Sequence, residues 1–279
     1  MSLGGKPPRL VGQVRNGVVD IIWTVLGYTT GQFPRSEVFE LPFIHTNNLV
    51  ATNLAMREML ENGMLAEEFK DMHVITLHVH AGQAFHMVDT PVRTPDDLKG
   101  KKMRIPSRTG AWILEALGAN PVGMPFPDLP QALSREVVDR TLIPFEIVRP
   151  LKIQELTKYQ TEGQGCIRFG TTTFVIAMNK AKYESLPDAL KKTIDDNSGV
   201  EFTREVGRIW TQSEVGCEET LKEAGNEVIE LSPEEIAAFK KKLEPVVEHW
   251  IADVESKGID GRKLVETARA TITKYADEE

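Results

Sequence analysis

The chain has 279 residues, of which 41% are hydrophobic and 27% charged, a composition typical of a globular protein with room for two cores. Its formal net charge of −8, without a concentrated basic stripe, argues against a nucleic-acid partner. No apolar run reaches the roughly 18 to 20 residues that cross a bilayer. Cys166 and Cys217 lack metal-ligand spacing, so we expect both to be small core residues.

Helix and strand patterns alternate along the first two thirds of the chain. They predict helices over 8–17, 47–64, 110–117 and 128–136, and strands over 18–25, 73–80, 102–106, 120–126, 137–146 and 174–179. Strands that alternate with helices over short connections indicate an α/β architecture with largely parallel sheets. From 185 onward, long helices replace the alternation.

The last third contains a clear helix start. Ser232 and Glu235 have the spacing of a capping box, followed by an amphipathic helix. Six apolar side chains of this helix share one face: Ile236, Phe239, Leu243, Val247, Trp250 and Val254. We expect this face to lie in the core and not to bind a partner.

The stretch KMRIPSR places Arg104 at a predicted strand end, on the opposite face from its two apolar neighbours. Ser107 or Thr109 then caps a helix whose first turn offers unpaired N–H groups beside the arginine. This pattern indicates an anion site, to which Arg108 adds a second guanidinium. The alternative is that Arg104 pairs with a nearby carboxylate and only stabilises the turn.

Six stretches, in their order along the chain, resemble the signature segments of a known family. They are LGGKPPRLVGQVRNGVVDI, FPRSEVFELPF, PDDLKGKKMRIPSR, ALGANPVGMPF, QALSREVVD and FVIAMNKAKYESLP. The family is that of the DctP-like solute-binding subunits of TRAP (tripartite ATP-independent periplasmic) transporters. The resemblance covers nearly the whole chain. It implies a two-lobe Venus-flytrap fold with long interlobe and C-terminal helices, which closes over a small organic acid.

The resemblance also implies how the chain is organised and where it acts. Lobe one would contain 1–81 and 172–212, and lobe two 82–171 and 213–279. The protein would be a periplasmic monomer without a cofactor, and it would deliver its ligand to the membrane subunits of the transporter. A binding module that serves a signalling system is an alternative with the same fold. Because the chain opens inside the first signature stretch, we expect it to lack the family's first strand-helix unit and to fold poorly by itself.

The resemblance assigns ligand-binding roles to particular residues. The family's carboxylate-binding arginine falls on Arg104, its next polar contact on Ser107, and the aromatic that covers the ligand on Phe126. A guanidinium holds a carboxylate through two parallel hydrogen bonds, each worth roughly 1.5 to 3 kcal/mol. We expect further lining residues near predicted strand ends, namely Trp23, Thr24, Tyr28, Thr171 and Thr172.

Some polar contacts of the family are absent. Three polar positions of the sialic-acid-binding relatives are here Val25, Ala84 and Ile143. Four aromatic side chains surround the predicted cleft, namely Trp23, Tyr28, Phe126 and Phe145. Ligand hydroxyls buried against such walls would lack partners, so sialic acid is disfavoured. We expect a monocarboxylate with a partly apolar body.

His78, His80 and His86 fall within nine residues, and the first two share a strand face, as in some metal sites. A histidine-dependent metalloenzyme is therefore an alternative, although no metalloprotease motif, nucleophile elbow or phosphate loop accompanies them. We favour packing or ligand-lining roles. His80, His86 or Arg108 would bind the second charge of a dicarboxylate, if that is the ligand. Glu146 either lines the cleft or caps contacts between the lobes.

Overall fold

A computed structural model describes residues 5–138 and 140–278. The helices are α1 (Leu10–Arg15), α2 (Leu49–Glu61), α3 (Arg108–Ala116), α4 (Leu129–Ser134), α5 (Val148–Leu151), α6 (Ile153–Leu156), α7 (Lys180–Glu184), α8 (Asp188–Asp196), α9 (Val200–Glu214), α10 (Cys217–Glu223), α11 (Pro233–Glu255) and α12 (Gly261–Glu278). The strands are β1 (Ile21–Val25), β2 (Met72–Val79), β3 (Ala84–Met87), β4 (Lys102–Ile105), β5 (Asn120–Gly123), β6 (Arg140–Ile143), β7 (Tyr159–Gly163), β8 (Thr173–Asn179) and β9 (Glu227–Leu231).

The strands form two separate sheets, one for each lobe. The first sheet has the order β1-β8-β2, and β8 runs antiparallel to both neighbours. The second has the order β5-β4-β6-β3-β7-β9, in which β4 is parallel to β5 and β6, and β7 is parallel to β9. The strand β3 is antiparallel to β6 and β7. The predicted two-lobe α/β fold is therefore confirmed.

The expectation of largely parallel sheets is wrong, because two strands begin where their neighbours end. The strands β1, β2, β4 and β6 end at the cleft between the lobes, with residues at or just beyond their carboxyl ends in its wall. The strands β3 and β8 each come directly from the other lobe and start at that cleft. A strand that starts where its neighbours end must run antiparallel to them.

Two crossing segments join the lobes side by side. The N–H of Gln83 donates to the carbonyl of Gly170 at 2.7 Å, and that of Phe169 donates to the carbonyl of Gln83 at 3.1 Å. The Thr171 hydroxyl donates to the carbonyl of His80 at 2.8 Å. These bonds pair 80–83 with 169–171, so both connections form one hydrogen-bonded hinge.

The long helix α11 contacts both lobes. Its capping box is confirmed, because the Ser232 hydroxyl accepts from the Glu235 N–H at 3.3 Å and the Glu235 carboxylate accepts from the Ser232 N–H at 2.7 Å. Phe239 lies in the core of the second lobe, whereas Trp250 lies in the core of the first. The predicted apolar face is confirmed as a core face, with Val247 partly buried.

The last helix, α12, packs against α2, and its buried side chains Leu264, Val265, Ala268 and Ile272 join the core of the first lobe. The predicted lobe boundaries remain a proposal. The packing of α12 supports one change to them, namely that 261–278 be placed in lobe one.

The two cysteines differ in exposure. Cys217 is buried as expected, but Cys166 is exposed, because it lies in the turn after β7, where its φ is 59°. No helix within the described ranges is both long and apolar enough to cross a bilayer.

Candidate functional site

A cavity of about 280 Å³ lies between the two lobes, at the carboxyl ends of β1, β4 and β6. This volume lies just below the range of about 300–1,000 Å³ that is typical of ligand pockets, so the cavity suits a small ligand. Most of the wall is apolar. The lining residues used below are Trp23, Thr24, Tyr28, His80, Gln83, Arg104, Phe126, Ile143, Glu146, Ile147, Thr172, Phe174 and Trp210.

Arg104 lies near the carboxyl end of β4 and places a positive charge in the cavity wall. Its side chain is almost fully buried, with 3% exposure. Its Nε donates to the carbonyl of Met124 at 3.1 Å, the Tyr28 hydroxyl lies within hydrogen-bond reach, and Nη2 has no partner among the described residues. Burial lowers the pKa of the guanidinium, yet an arginine stays charged in a protein. No carboxylate in the described part of the chain pairs with it, which disfavours the alternative of a turn-stabilising ion pair.

Tyr28 and Phe126 meet across the cleft. The N–H of Phe126 in the second lobe donates to the Tyr28 hydroxyl of the first at 2.9 Å. Both side chains are half-buried and line the cavity. Close by, Gly27 approaches Ser107 so tightly that a Cβ on the glycine would lie 2.5 Å from the serine Cβ. The two lobes are therefore in direct contact on this side of the cavity.

Trp23 and Thr24 reach the cavity from β1. The Trp23 ring is half-exposed, stacks on Phe174, and donates from Nε1 to Nε2 of His78 at 2.9 Å. The Thr24 hydroxyl is buried, and no described residue offers it a hydrogen bond. Thr24 therefore brings an unpaired donor and acceptor to an otherwise apolar surface.

His80 and Thr172 line the cavity from the hinge. His80 Nδ1 makes a hydrogen bond to the carbonyl of Ala81, and burial lowers the pKa of His80 to about 3, so its ring is neutral. The Thr172 hydroxyl accepts from the Gln83 side-chain amide at 2.9 Å. Neither residue brings a charge to the site.

Two expected cavity residues lie outside the lining. Ser107 is the N-cap of α3, which was one of the two caps that the sequence predicted. Its hydroxyl accepts from the Gly110 N–H at 3.3 Å and shares a hydrogen bond of 2.8 Å with the Thr109 hydroxyl. The cap uses this hydroxyl on the helix side, and Ser107 is not among the residues that line the cavity. Thr171 is likewise held by the carbonyl of His80.

Arg108 does not form a second anion site. Its guanidinium binds both oxygens of Glu37 at 2.6 Å and Asp253 at 2.9 Å, and it lies over the Trp112 ring. Glu37 lies 71 positions earlier in the chain, so no local pattern indicated this partner. A second carboxylate of a ligand would find this cation already paired.

Phe145 and His86 pack behind the cavity. The two rings meet edge to face, with centroids 5.4 Å apart, and the Arg168 guanidinium lies 4.4 Å from the centre of the Phe145 ring. Neither side chain belongs to the lining of this cavity, which differs from the expected position of Phe145. Its ring is instead part of the packing around the hinge.

The three histidines do not converge on one point. His78 accepts from Trp23, His80 contacts the hinge backbone, and His86 packs on Phe145. Within 5–138 and 140–278, no group of three His, Cys, Asp or Glu side chains has a geometry that could hold a metal ion.

Glu146 is the acidic residue of the lining, and its side chain is buried with 7% exposure. Burial and the neighbouring Glu214 raise the pKa of the Glu146 carboxyl well above its usual value. Neither of its oxygens has a hydrogen-bond partner of good geometry among the described residues. The sequence left open whether Glu146 lines the cleft or caps contacts between the lobes, and the structure places it in the cavity wall.

The buried histidines make stability depend on pH. Burial lowers the pKa of His86 to about 3, whereas an unfolded histidine titrates near 6.5. The unfolded state therefore binds more protons below about pH 6.5, and stability falls as the pH is lowered. Between pH 7 and pH 5, protonation of His86 in the unfolded state should cost the wild type roughly 1 to 2 kcal/mol of its free energy of unfolding. His86→Leu should not show this part of the loss. Urea unfolding at pH 7 and pH 5 measures the difference. The exposed His249 supplies the control His249→Leu, and equal pH slopes for all three proteins would contradict the prediction.

A cleft of this kind, outside the strand ends of two hinged α/β lobes, is the binding site of the Venus-flytrap class of solute-binding proteins. The family model of bacterial extracellular solute-binding protein, family 7 (DctP), matches residues 2–253. The chain belongs to this family, and the periplasm is where it acts.

Solved structures and curated relatives agree with this assignment. A TRAP solute-binding protein from Rhodoferax ferrireducens, in complex with copurified benzoate, is 43% identical with a TM-score of 0.96, and the match covers 99% of this chain and 86% of that one. A marine metagenome TRAP protein from an unidentified microbe, specific for aromatic acid ligands and co-crystallised with 3-hydroxybenzoate, is 43% identical with a TM-score of 0.94, over 99% and 85%. The C4-dicarboxylate-binding periplasmic protein DctP of Rhodobacter capsulatus is 29% identical over 215 residues, 75% of this chain and 62% of that protein.

Proposed function

We propose that this protein captures an aromatic monocarboxylic acid in the cleft between its lobes and delivers it to the membrane subunits of a TRAP transporter. Capture of a small organic acid for such a transporter is the function of its family. The aromatic class of the ligand is our inference. The observation that carries it is Arg104, a buried cation that borders an aromatic cavity and has no ionic partner in the described chain.

The charge of the lining supports one carboxylate and not two. Arg104 is the one lysine or arginine among the described residues of this wall, and the neighbouring Arg108 is already paired with Glu37 and Asp253. His80 is neutral, and Glu146 has no positive charge to pair with a second carboxylate. A dicarboxylate would therefore bury one charge without a partner, which is costly.

The shape of the wall supports a planar apolar body. Trp23, Phe126, Phe174 and Trp210 surround the cavity, and aromatic rings pack well against one another in offset or edge-to-face geometry. Two similar structures, each 43% identical to this chain, were described with benzoate and with 3-hydroxybenzoate. Both compounds are aromatic monocarboxylates of a size that suits the cavity.

The mechanism we propose is a population shift without chemistry. A ligand that contacts both lobes stabilises the closed arrangement, and the membrane subunits bind its surface. Arg104, Phe126 and Glu146 would contact the ligand from lobe two, and Trp23 and Thr24 from lobe one. We propose that the protein acts as a monomer and has no enzymatic activity.

The proposal is tested by ligand-induced thermal stabilisation and by isothermal titration of the purified protein. We expect benzoate or 3-hydroxybenzoate at 100 times its dissociation constant to add about 2.7 kcal/mol to the free energy of unfolding. Succinate and sialic acid should leave the melting temperature unchanged. Stabilisation by succinate alone would overturn the aromatic assignment.

The aromatic wall gives a direct prediction. Phe126→Ala should weaken benzoate binding about tenfold or more, because it removes a ring from the cavity wall. The free energy of unfolding without ligand should change little, since the side chain is only half-buried in a short 3-10 turn, Phe126–Asp128. Titration calorimetry and urea unfolding measure the two quantities. Val137→Ala, at an exposed apolar residue, is the control, and an unchanged affinity would make Phe126 a packing residue instead.

The tight contact of Gly27 with Ser107 predicts a block to closure. An alanine Cβ at position 27 would lie 2.5 Å from the Ser107 Cβ and 3.2 Å from its Cα, so the lobes could not approach fully. We expect Gly27→Ala to bind benzoate about tenfold more weakly or worse, and to keep a larger radius of gyration in small-angle scattering with ligand. The control is Gly12→Ala, whose Cβ would meet nothing within 4 Å. Normal affinity in Gly27→Ala would show that closure does not need this contact.

A further inference from the structure

Three lining residues carry buried polar atoms that have no hydrogen-bond partner among the described residues. They are Nη2 of Arg104, the hydroxyl of Thr24 and both carboxyl oxygens of Glu146. A buried polar atom without a partner destabilises the protein, so a ligand that supplies the partner binds more tightly than one that does not. Arg104 suits a carboxylate, which leaves the hydroxyl of Thr24 and the carboxyl group of Glu146 to be explained.

The neighbouring Glu214 shows what Glu146 lacks. One oxygen of Glu214 accepts from the backbone N–H groups of Phe145 at 2.7 Å and Glu146 at 3.0 Å, and the other pairs with Arg168 at 3.1 Å. Three donors therefore stabilise the negative charge of Glu214. The Glu146 side chain has no such set of donors, and its carboxyl group lies within hydrogen-bond reach of the Glu214 carboxylate.

The surroundings of Glu146 favour the neutral form of its carboxyl group. Hydrogen bonds to the charged form keep an acid ionised, whereas burial and a like charge favour the neutral form. Burial and Glu214 raise the pKa of Glu146, although Arg168 acts in the opposite direction. A neutral carboxyl group offers one O–H donor and one carbonyl acceptor.

Whether the O–H of Glu146 turns to Glu214 or to the cavity, the carbonyl oxygen of Glu146 can accept a hydrogen bond from a ligand hydroxyl. A second carboxylate on the ligand has no proton to donate to this oxygen, and it carries a charge. Glu146 lines the cavity together with the apolar residues Ile143 and Ile147. A ligand that placed only an apolar ring edge against Glu146 would give its carboxyl group no hydrogen-bond partner. The matching ligand is an aromatic acid with a hydroxyl substituent.

We propose that Glu146 binds a hydroxyl group of the aromatic acid, so that the cavity prefers hydroxylated aromatic monocarboxylates to unsubstituted ones. This inference rests on the proposed function and adds a specificity-determining residue to it. Of two similar proteins, each 43% identical, one was co-crystallised with 3-hydroxybenzoate and the other held copurified benzoate.

The test is isothermal titration of the whole chain with benzoate and with 2-, 3- and 4-hydroxybenzoate. In the wild type, we expect the best hydroxybenzoate to bind about fivefold to tenfold more tightly than benzoate. Glu146→Gln keeps a donor and an acceptor, and should retain this preference. Glu146→Met has a similar volume without polar hydrogen bonding, and should reduce the ratio to about one.

Thr24→Val provides the matched comparison, because Thr24 is the other unpaired neutral group of the wall. We expect this variant to keep the hydroxyl preference. A preference that survives in Glu146→Met, or that disappears in Thr24→Val instead, would overturn the assignment to Glu146. Equal wild-type affinity for benzoate and all three isomers would also overturn it while the proposed function stands. If none of the four compounds binds, the proposed function itself fails.

Discussion

Arg104→Ala is expected to bind benzoate at least about 100-fold more weakly than the wild type, and Arg104→Lys about tenfold more weakly. Alanine removes two charge-assisted hydrogen bonds, each worth roughly 1.5 to 3 kcal/mol, whereas lysine keeps the charge but loses the two-pronged geometry. Titration calorimetry with benzoate measures both affinities.

The same variants separate a binding role from a structural one. Without ligand, Arg104→Ala should be as stable as the wild type or more stable, because a buried cation with no ionic partner in the described chain is removed. Arg93→Ala is the control, since Arg93 is exposed and pairs with Glu227 at 2.9 Å. If Arg104→Ala bound benzoate normally, Arg104 would not be the carboxylate site.

Arg168→Ala is expected to lower the free energy of unfolding by about 3 to 5 kcal/mol, the usual cost of breaking a buried ion pair. The side chain is almost fully buried at the hinge, where it pairs with Glu162 at 2.7 Å and Glu214 at 3.1 Å. It also donates to the carbonyl of Gly82 at 2.9 Å. Alanine would leave two largely buried carboxylates without their cation. Urea unfolding at pH 7 measures the loss.

The exposed pair of Arg262 with Glu248, at 2.9 Å, supplies the matched control. Arg262→Ala should cost less than about 1 kcal/mol, because water screens an exposed ion pair. Burial raises the pKa of Glu162, and Arg168 acts in the opposite direction, so Arg168→Ala should raise this pKa further. The Glu162 carboxylate of the variant would then be neutralised at a higher pH than in the wild type. Part of the stability lost in Arg168→Ala should therefore return as the pH is lowered. A cost no greater than that of Arg262→Ala would mean that the hinge does not depend on this cluster.

Many local features were predictable because their causes lie within a few residues. The cap of α3 at Ser107 and the capping box of α11 follow from side chains three positions from the N–H groups they bind. Strand ends were predictable in the same way. Thr24, Arg104 and Phe126 reach the cleft because each lies near or just beyond the carboxyl end of a strand.

Other elements gave no clear signal. The strand β7 buries Gln160, Thr161 and Glu162, so it lacks the apolar alternation by which strands are predicted. These polar groups are tolerated because distant partners satisfy them: Thr161 donates to the carbonyl of Val92, and Glu162 pairs with Arg168. The partners become neighbours only after the chain has folded.

The amino-acid sequence by itself determined the α/β lobes, the family, and the arginine at the end of β4, since periodicity, caps and signature segments are properties of short stretches. Only the tertiary structure decided what each charged group meets. It paired Arg108 with Glu37, left Arg104 without a carboxylate partner in the described chain, and set Glu146 beside Glu214. These outcomes depend on contacts between residues up to 71 positions apart, and the free energy of a buried charge is set by the groups that surround it in space.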